Sequence, residues 1–125
     1  MRDVVQRQAE AWANGDVEGI VSAFANSFEF IFPGARLTTP EELRNAVEGY
    51  FKAKTRVSIE IKRIVVDGEC AAVEWVWSEQ DRESGKMGRA EDAIILRLAG
   101  HKISYWREYI DEDSRIAAPY RQAQA

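Results

Sequence analysis

Two acidic residues, Asp92 and Glu108, lie within apolar, strand-like segments. Asp92 belongs to the more apolar of the two alternating residue sets between Ala90 and Leu98, which predicts that it points into the core. Glu108 has the same parity as Trp106, but both alternating sets of that segment are half apolar, so the pattern alone does not say which one faces inward. A carboxylate among aromatic rings must be hydrogen-bonded, paired or protonated with a raised pKa, and such acids in clefts are candidates for general acid-base catalysis.

The other reactive side chains favour no second chemistry. Cys70 is the only cysteine and His101 the only histidine, so an internal disulfide and a zinc ligand set are excluded. The sequence has no Gly-rich phosphate loop, no Gly-x-Ser-x-Gly motif and no acid cluster with metal-ligand spacing. We therefore predict that the protein uses no cofactor or metal.

The composition is that of one globular domain. The chain has 125 residues, of which 46% are hydrophobic and 30% charged, with a net charge of -4. Because basic residues are neither in excess nor clustered, we expect no nucleic-acid or membrane partner. No apolar run reaches the ~18 residues needed to cross a bilayer, and the mixed segment after Met1 does not resemble a signal peptide. The expected location is cytoplasmic.

Helical periodicity predicts three helices in the first half of the chain. The first ends near Asn14, and Asp16 can cap a second short helix. The third begins at Thr39, where a proline at the first helical position and Glu42 three residues after the cap form a capping box. These helices must cover one face of the sheet, which is the face on which the acidic residues would be held.

Alternating apolar residues predict strands elsewhere. A short strand, Phe28 to Phe32, is expected at a sheet edge and is stopped by Pro33. Four longer strands should form an antiparallel meander over residues 57–66, 70–80, 89–98 and 102–111. The fold class is thus α+β, with one domain over residues 1–112 and a tail over 113–125.

In the predicted strand at residues 70–80, Trp75 and Trp77 lie on one face and Glu74 on the other. The tryptophan face should therefore be the face that the helices cover. We expect the apolar inner face to include Ile59, Ile61, Trp75, Trp77 and Ile94, and the outer face to include Glu60, Lys62, Glu74 and Arg97.

Three stretches carry a resemblance to a known family. They are AWANGDVEGIVSAFANS at residues 11–27, the helix at residues 39–51 and GHKISYWREYID at residues 100–111. Together they resemble the nuclear-transport-factor-2-like superfamily, and within it the SnoaL-like polyketide cyclases, ketosteroid isomerases and limonene-epoxide hydrolases. The resemblance covers residues 3–112 and implies a cone, in which a curved sheet wraps around helices and a cavity opens between them. It also implies that Trp106 and Glu108 point inward, and that copies pair through the outer sheet face.

The catalytic groups of two relatives are largely replaced in this chain. The epoxide hydrolase Arg and Asp fall on Trp75 and Trp77, its Tyr and Asn on Phe30 and Phe32, and only its last carboxylate is kept, as Glu108. Each lost group is typically worth about 10²-fold or more in rate, so we expect no efficient limonene-epoxide hydrolysis.

Ketosteroid isomerase chemistry meets the same difficulty. Its general base falls on Phe32 and its oxyanion tyrosine near Gln8. Its neutral acid falls near Ile94, with Asp92 two residues away on the same face. Efficient ketosteroid isomerisation is therefore not expected either.

With the strand at residues 102–111 oriented by the resemblance, the aromatic residues converge on the two acids. The predicted catalytic candidates are Glu108 and Asp92, and the predicted ligand-binding residues are Trp12, Phe30, Phe32, Tyr50, Ile59, Trp75, Trp77, Ile94 and Trp106. A filled core is the alternative, since the rings could occupy the whole cone.

Hairpin parity decides whether the two acids share a face. They do so if the connection around Gly100 holds three residues, which would pair Leu98 with Ser104 and set Glu108 opposite Ile94. Asp92 would then be the diagonal neighbour of Glu108, and Glu108 should have a raised pKa and a hydrogen bond from a tyrosine or tryptophan.

Two functions remain open at this point. One is a cofactor-independent isomerase, cyclase or lyase that binds a small apolar or aromatic molecule and uses Glu108, helped by Asp92, to move a proton. The other is a non-catalytic ligand-binding or dimerisation domain with an aromatic core. A homodimer through the outer sheet face is expected in either case.

Overall fold

The computed structural model describes residues 1–112 as three helices and one six-stranded sheet. The helices are α1 (Arg2–Ala13), α2 (Val17–Ser22) and α3 (Pro40–Ala53), and the strands are β1 (Phe24–Phe32), β2 (Ala35–Leu37), β3 (Lys54–Asp67), β4 (Cys70–Asp81), β5 (Met87–Ala99) and β6 (Lys102–Glu112). The predicted α+β class is confirmed. The predicted tail at 113–125 lies outside the described residues. Within residues 1–112 no helix has the length and apolar character required to cross a bilayer.

Both predicted helix caps are present. Asp16 accepts a hydrogen bond from the backbone N–H of Gly19 at 2.9 Å, which starts α2. At the start of α3, Thr39 Oγ1 accepts from the N–H of Glu42 at 3.1 Å, and Glu42 Oε1 accepts from the N–H of Thr39 at 3.2 Å. This reciprocal pair satisfies two backbone donors of the first turn and fixes the position of α3, which carries Tyr50.

The strands run in the order β2-β1-β6-β5-β4-β3, and β3 to β6 form the predicted antiparallel meander. The predicted edge position of the Phe28 to Phe32 strand is wrong. The strand begins earlier, at Phe24, and pairs in parallel with β6, while β2 pairs on its other side. The reason is that Pro33 and Gly34 form a turn, with Gly34 at φ +82°, so the chain doubles back and adds another strand.

The β5-β6 hairpin reaches the predicted register by a different route. Its turn has two residues, Gly100 and His101, because Ala99 pairs with Lys102 and Leu98 with Ile103. The predicted three-residue connection is therefore wrong. An irregularity at Ser104 supplies the missing residue, since Arg97 pairs with Tyr105. From there the parity is the predicted one, and Glu108 lies opposite Ile94.

The two sheet faces are assigned as predicted, with one difference of degree. Trp75 is 1% exposed against the helices, whereas Glu74 lies on the open face. Ile94 is completely buried, but Ile59 and Ile61 are only partly buried. They lie on β3, which is the last strand of the sheet and is covered mainly by α1, so its side chains have neighbours on one flank only.

The capping box provides a test of how α3 is held. We expect Thr39→Ala to lower the free energy of unfolding by about 1 kcal/mol, because the first turn loses its side-chain acceptor, and Thr39→Ser to keep most of the stability. Urea unfolding of the two variants and the wild type measures the difference. Equal stability of the alanine variant and the wild type would show that the cap contributes nothing.

Candidate functional site

Asp92 is a buried carboxylate held by a tryptophan. It is 5% exposed and lies directly across from Trp75 in the β4-β5 pair. The indole Nε1–H of Trp75 donates a hydrogen bond to Asp92 Oδ2 at 3.0 Å. The second oxygen, Oδ1, is buried and has no hydrogen-bond partner among residues 1–112. One half of this carboxyl group is therefore anchored and the other half is unsatisfied.

Glu108 has the same kind of anchor on the neighbouring strand. The Nε1–H of Trp106 donates to Glu108 Oε1 at 2.9 Å, along one face of β6. Trp106 is completely buried, and Glu108 is partly buried. Because Ile94 lies opposite Glu108 while Asp92 lies opposite Ile110, the two acids are diagonal neighbours, which places their side chains about 7–8 Å apart.

The environment raises the pKa of both acids. Burial raises the pKa of Asp92 to about 6, against the opposing effect of the Trp75 hydrogen bond, and the charge of Glu79 adds to the increase. Burial likewise raises the pKa of Glu108 to about 7, where the Trp106 hydrogen bond opposes the increase and the charge of Asp92 adds to it. Near neutral pH, Glu108 is thus present in both its protonated and its ionised form.

A cavity of about 680 Å³ lies between α3 and the inner face of the sheet and reaches both acids. The aromatic side chains therefore leave open space in the cone. Among the residues proposed from the sequence, seven line this cavity: Trp12, Phe30, Phe32, Tyr50, Trp77, Asp92 and Glu108.

Four of the proposed ligand-binding residues do not line the cavity. Trp75, Ile94 and Trp106 are buried in the core behind the wall, and Ile59 is partly buried on β3 opposite Trp77. The two tryptophans nevertheless act on the site, because their indole N–H groups orient the two carboxylates. The sequence pattern gives the face of each residue but not its depth.

Glu79 is a polar residue of the cavity wall that was not predicted from the sequence. The Tyr50 hydroxyl donates a hydrogen bond to Glu79 Oε1 at 2.5 Å. The Trp77 Nε1–H donates both to the Tyr50 oxygen at 2.8 Å and to the same Glu79 oxygen at 3.0 Å. Lys54 forms an ion pair with Glu79 Oε2 at 3.2 Å. Burial and the hydrogen bond to Glu79 raise the pKa of Tyr50. The sequence did contain a signal for Glu79: it follows Trp75 and Trp77 at the same two-residue spacing, so it belongs to the same face of the strand.

Two further buried polar atoms have no partner among residues 1–112: the Nε1–H of Trp12 and Oε1 of Gln8. Gln8 is anchored by its other end, which donates to the carbonyl of Ile20 at 3.2 Å. Trp12 lines the cavity, so its indole ring forms part of the wall. Residues 1–112 contain no group of three or more His, Cys, Asp or Glu side chains that could hold a metal ion.

A curved, unclosed sheet laid against three helices, with a cavity between them, is the architecture of the nuclear-transport-factor-2-like proteins. Residues 5–106 match the SnoaL-like domain family, and the chain belongs to that family. No curated protein matches the chain.

Three solved structures illustrate the similarity of fold. A hypothetical protein with a ketosteroid isomerase-like fold from Catenulispora acidiphila, in complex with trimethylamine, has a TM-score of 0.80 at 19% identity over 86% of this chain and 84% of that protein. A candidate SnoaL-like polyketide cyclase from a Jannaschia species has a TM-score of 0.77 at 16% identity over 88% and 84%. An epoxide hydrolase of the limonene-epoxide hydrolase type from M. tuberculosis has a TM-score of 0.76 at 16% identity over 87% and 80%. At these identities the similarity establishes the fold.

The raised pKa of Glu108 makes stability depend on pH. The folded protein holds this proton up to about pH 7 and the unfolded chain only to about 4.5, so the stabilising contribution is complete below about 4.5 and is lost as the pH rises through 7. We expect Glu108→Gln, which keeps the acceptor for Trp106, to become more stable than the wild type at pH 8 by on the order of 1–3 kcal/mol, and less so at pH 5.

Denaturant unfolding between pH 4.5 and 8 measures this difference, with Glu10→Gln on the exposed side of α1 as the control. NMR titration of the side-chain carboxyl signals gives the same pKa independently. A Glu108 that ionises like a free glutamate would contradict the assignment of a desolvated acid.

Proposed function

We propose that this protein binds a small apolar or aromatic molecule in its cavity and transfers a proton through Glu108, helped by Asp92, without a cofactor. The reaction class is isomerisation, cyclisation or elimination. One observation carries the proposal: an indole-anchored carboxyl group with a pKa of about 7 lies in the wall of a 680 Å³ aromatic cavity. That volume lies within the range of small-molecule sites.

A pKa near the working pH suits a general acid-base group. Near pH 7 Glu108 is present both in the ionised form, which can accept a proton, and in the protonated form, which can donate one. The Trp106 N–H holds Glu108 Oε1, which leaves the other oxygen to face a ligand. Asp92, when protonated, can donate a hydrogen bond from its unsatisfied Oδ1.

Deuterium exchange tests proton transfer without knowledge of the natural substrate. In D₂O with an enolisable aromatic ketone such as 1-tetralone, Glu108 would remove an α-proton from carbon and return a deuteron to it. We expect the wild type to exchange this position faster than Glu108→Gln by about 10²-fold, with a rate that rises as the pH passes 7. Mass spectrometry of the recovered ketone measures the exchange.

Glu10→Gln serves as the matched control, because Glu10 is exposed on α1 and does not line the cavity. Equal exchange rates for the wild type and Glu108→Gln would remove Glu108 as the acid-base group.

A non-catalytic ligand-binding domain is the second candidate. It is favoured by the aromatic rings of Phe30, Phe32 and Trp77 in the cavity wall, which supply apolar contact and no proton-transfer group. Ligand binding without any Glu108-dependent exchange would support this candidate over the enzyme.

We also propose that two copies pair through the outer face of the sheet. This face has a groove of about 1040 Å³ lined by both apolar and charged side chains, among them Val76, Glu91, Arg107 and Tyr109. Ile95 is 43% exposed and Tyr109 is 51% exposed on the same face, so together they offer apolar surface that a second copy would cover.

Light scattering tests the dimer at micromolar concentration. We expect a mass of twice 14.2 kDa for the wild type and for Glu10→Lys on the helix side. Ile95→Lys should shift the mass to 14.2 kDa, because two lysines would be buried without partners in the interface. A monomer mass for the wild type would remove the proposal.

A further inference from the structure

The charged side chains around the cavity are not balanced. Among residues 1–112, the carboxylates that line it are those of Glu79, Asp92, Glu108 and Glu112, and the one basic residue of the lining is Arg89. The Arg89 guanidinium lies 3.6 Å from Glu91, whose parity puts it on the outer face of β5. Negative charge therefore predominates in the part of the cavity wall that residues 1–112 form.

These acids differ in whether a cation already neutralises them. Glu79 shares Lys54 with Asp81, at 3.2 Å from each, and accepts two further hydrogen bonds, so its charge is partly compensated. Asp92 and Glu108 have hydrogen bonds from indole N–H groups, and neither forms an ion pair with any residue of 1–112. When ionised, both leave a negative charge facing the cavity from a poorly solvated wall.

The aromatic part of the wall has a geometry suited to a cation. Trp12, Tyr50 and Trp77 are mutual neighbours, with ring centroids 5.2–5.7 Å apart. Their planes cross at 85°, 65° and 81°, so the rings bound a corner of the cavity and do not form one stack. The negative face of an aromatic ring attracts an organic cation, most strongly for tryptophan and away from water.

We infer that the ligand of this cavity carries a positively charged nitrogen, of the tertiary or quaternary ammonium class, held between the Trp12, Tyr50 and Trp77 rings and the carboxylates of Asp92 and Glu108. This inference rests on the proposed function and names the ligand class of the same site. An anionic ligand would add to the negative charge of the wall. A primary ammonium would need about three hydrogen-bond acceptors at one point, whereas alkyl groups on the nitrogen match the apolar rings.

The binding should depend on pH in a defined direction. Burial raises the pKa values of Asp92 and Glu108 to about 6 and about 7, and a bound cation favours their ionised forms. The other charged or titratable residues that line the cavity among residues 1–112 are Tyr50 of α3, Glu79 of β4, Arg89 of β5 and Glu112 of β6. Tyr50 keeps its proton across this range because its pKa is raised. Affinity for the cation should therefore rise between pH 5 and pH 8.

Two isosteric probes separate charge from shape. Choline has a trimethylammonium group, and 3,3-dimethylbutan-1-ol has a neutral tert-butyl group in its place. Isothermal titration calorimetry at pH 8 should show that the wild type binds choline at least about 10-fold more tightly than the neutral alcohol. The preference should shrink severalfold at pH 5, and it should also fall at pH 8 in Asp92→Asn and Glu108→Gln. Glu10→Gln, which alters an exposed acid outside the cavity, should retain it.

The outcomes separate the two proposals. Equal affinity for both probes at pH 8 overturns the cationic ligand class and leaves an apolar binding cavity standing. Failure to bind either probe up to about 50 mM overturns the inference and also removes the support that the cavity gives to the proposed function. The pH dependence of the wild type keeps the inference testable even if the acid variants fold poorly.

Discussion

The site depends on the register of one hairpin. Between Gly100 and Tyr105 the chain makes a two-residue turn and then an irregularity at Ser104, and the extra residue turns the following part of β6 over. As a result Trp106 and Glu108 point to the helices and Arg107 to the outer face. Without that residue the tryptophan of the core and the acid of the cavity would lie on the open side of the sheet.

The two acids remain inside because each is paired with an indole. A buried Trp N–H needs an acceptor, and a buried carboxylate needs a donor, so the Trp75-Asp92 and Trp106-Glu108 bonds satisfy both needs at once. A neutral donor offsets only part of the cost of desolvation, however, and burial remains the dominant effect on both pKa values. The same arrangement that permits an acid in the core therefore leaves it near the pKa at which it can exchange a proton.

The fold alone does not supply this chemistry. Structures with the same cone carry names as different as polyketide cyclase and epoxide hydrolase, and their identity to this chain is below 20%. The cavity wall of this chain sets aromatic rings from α1, α3 and β1 beside two acids from β5 and β6 that form no ion pair within residues 1–112. Function must be argued from that wall, since one architecture accommodates many reactions.

The sequence by itself determined the elements and their faces. Capping residues located α2 and α3, and period-two alternation put Trp75 inside and Glu74 outside, because local hydrogen bonds and side-chain alternation are properties of neighbouring residues. The inward direction of Glu108 came from family resemblance. The pattern of its strand was ambiguous, and the assumed turn length was wrong.

Only the tertiary structure decided depth and partnership. It placed Trp106 behind the wall and Trp77 in it, although both were expected to contact a ligand. It also brought Lys54 and Tyr50 to Glu79, and it inserted β1 between β2 and β6. These features depend on how helices and strands that are far apart in the chain pack together, and on how the curvature of the sheet brings its strands toward the helices. The spacing of residues along one strand determines neither the packing nor the curvature.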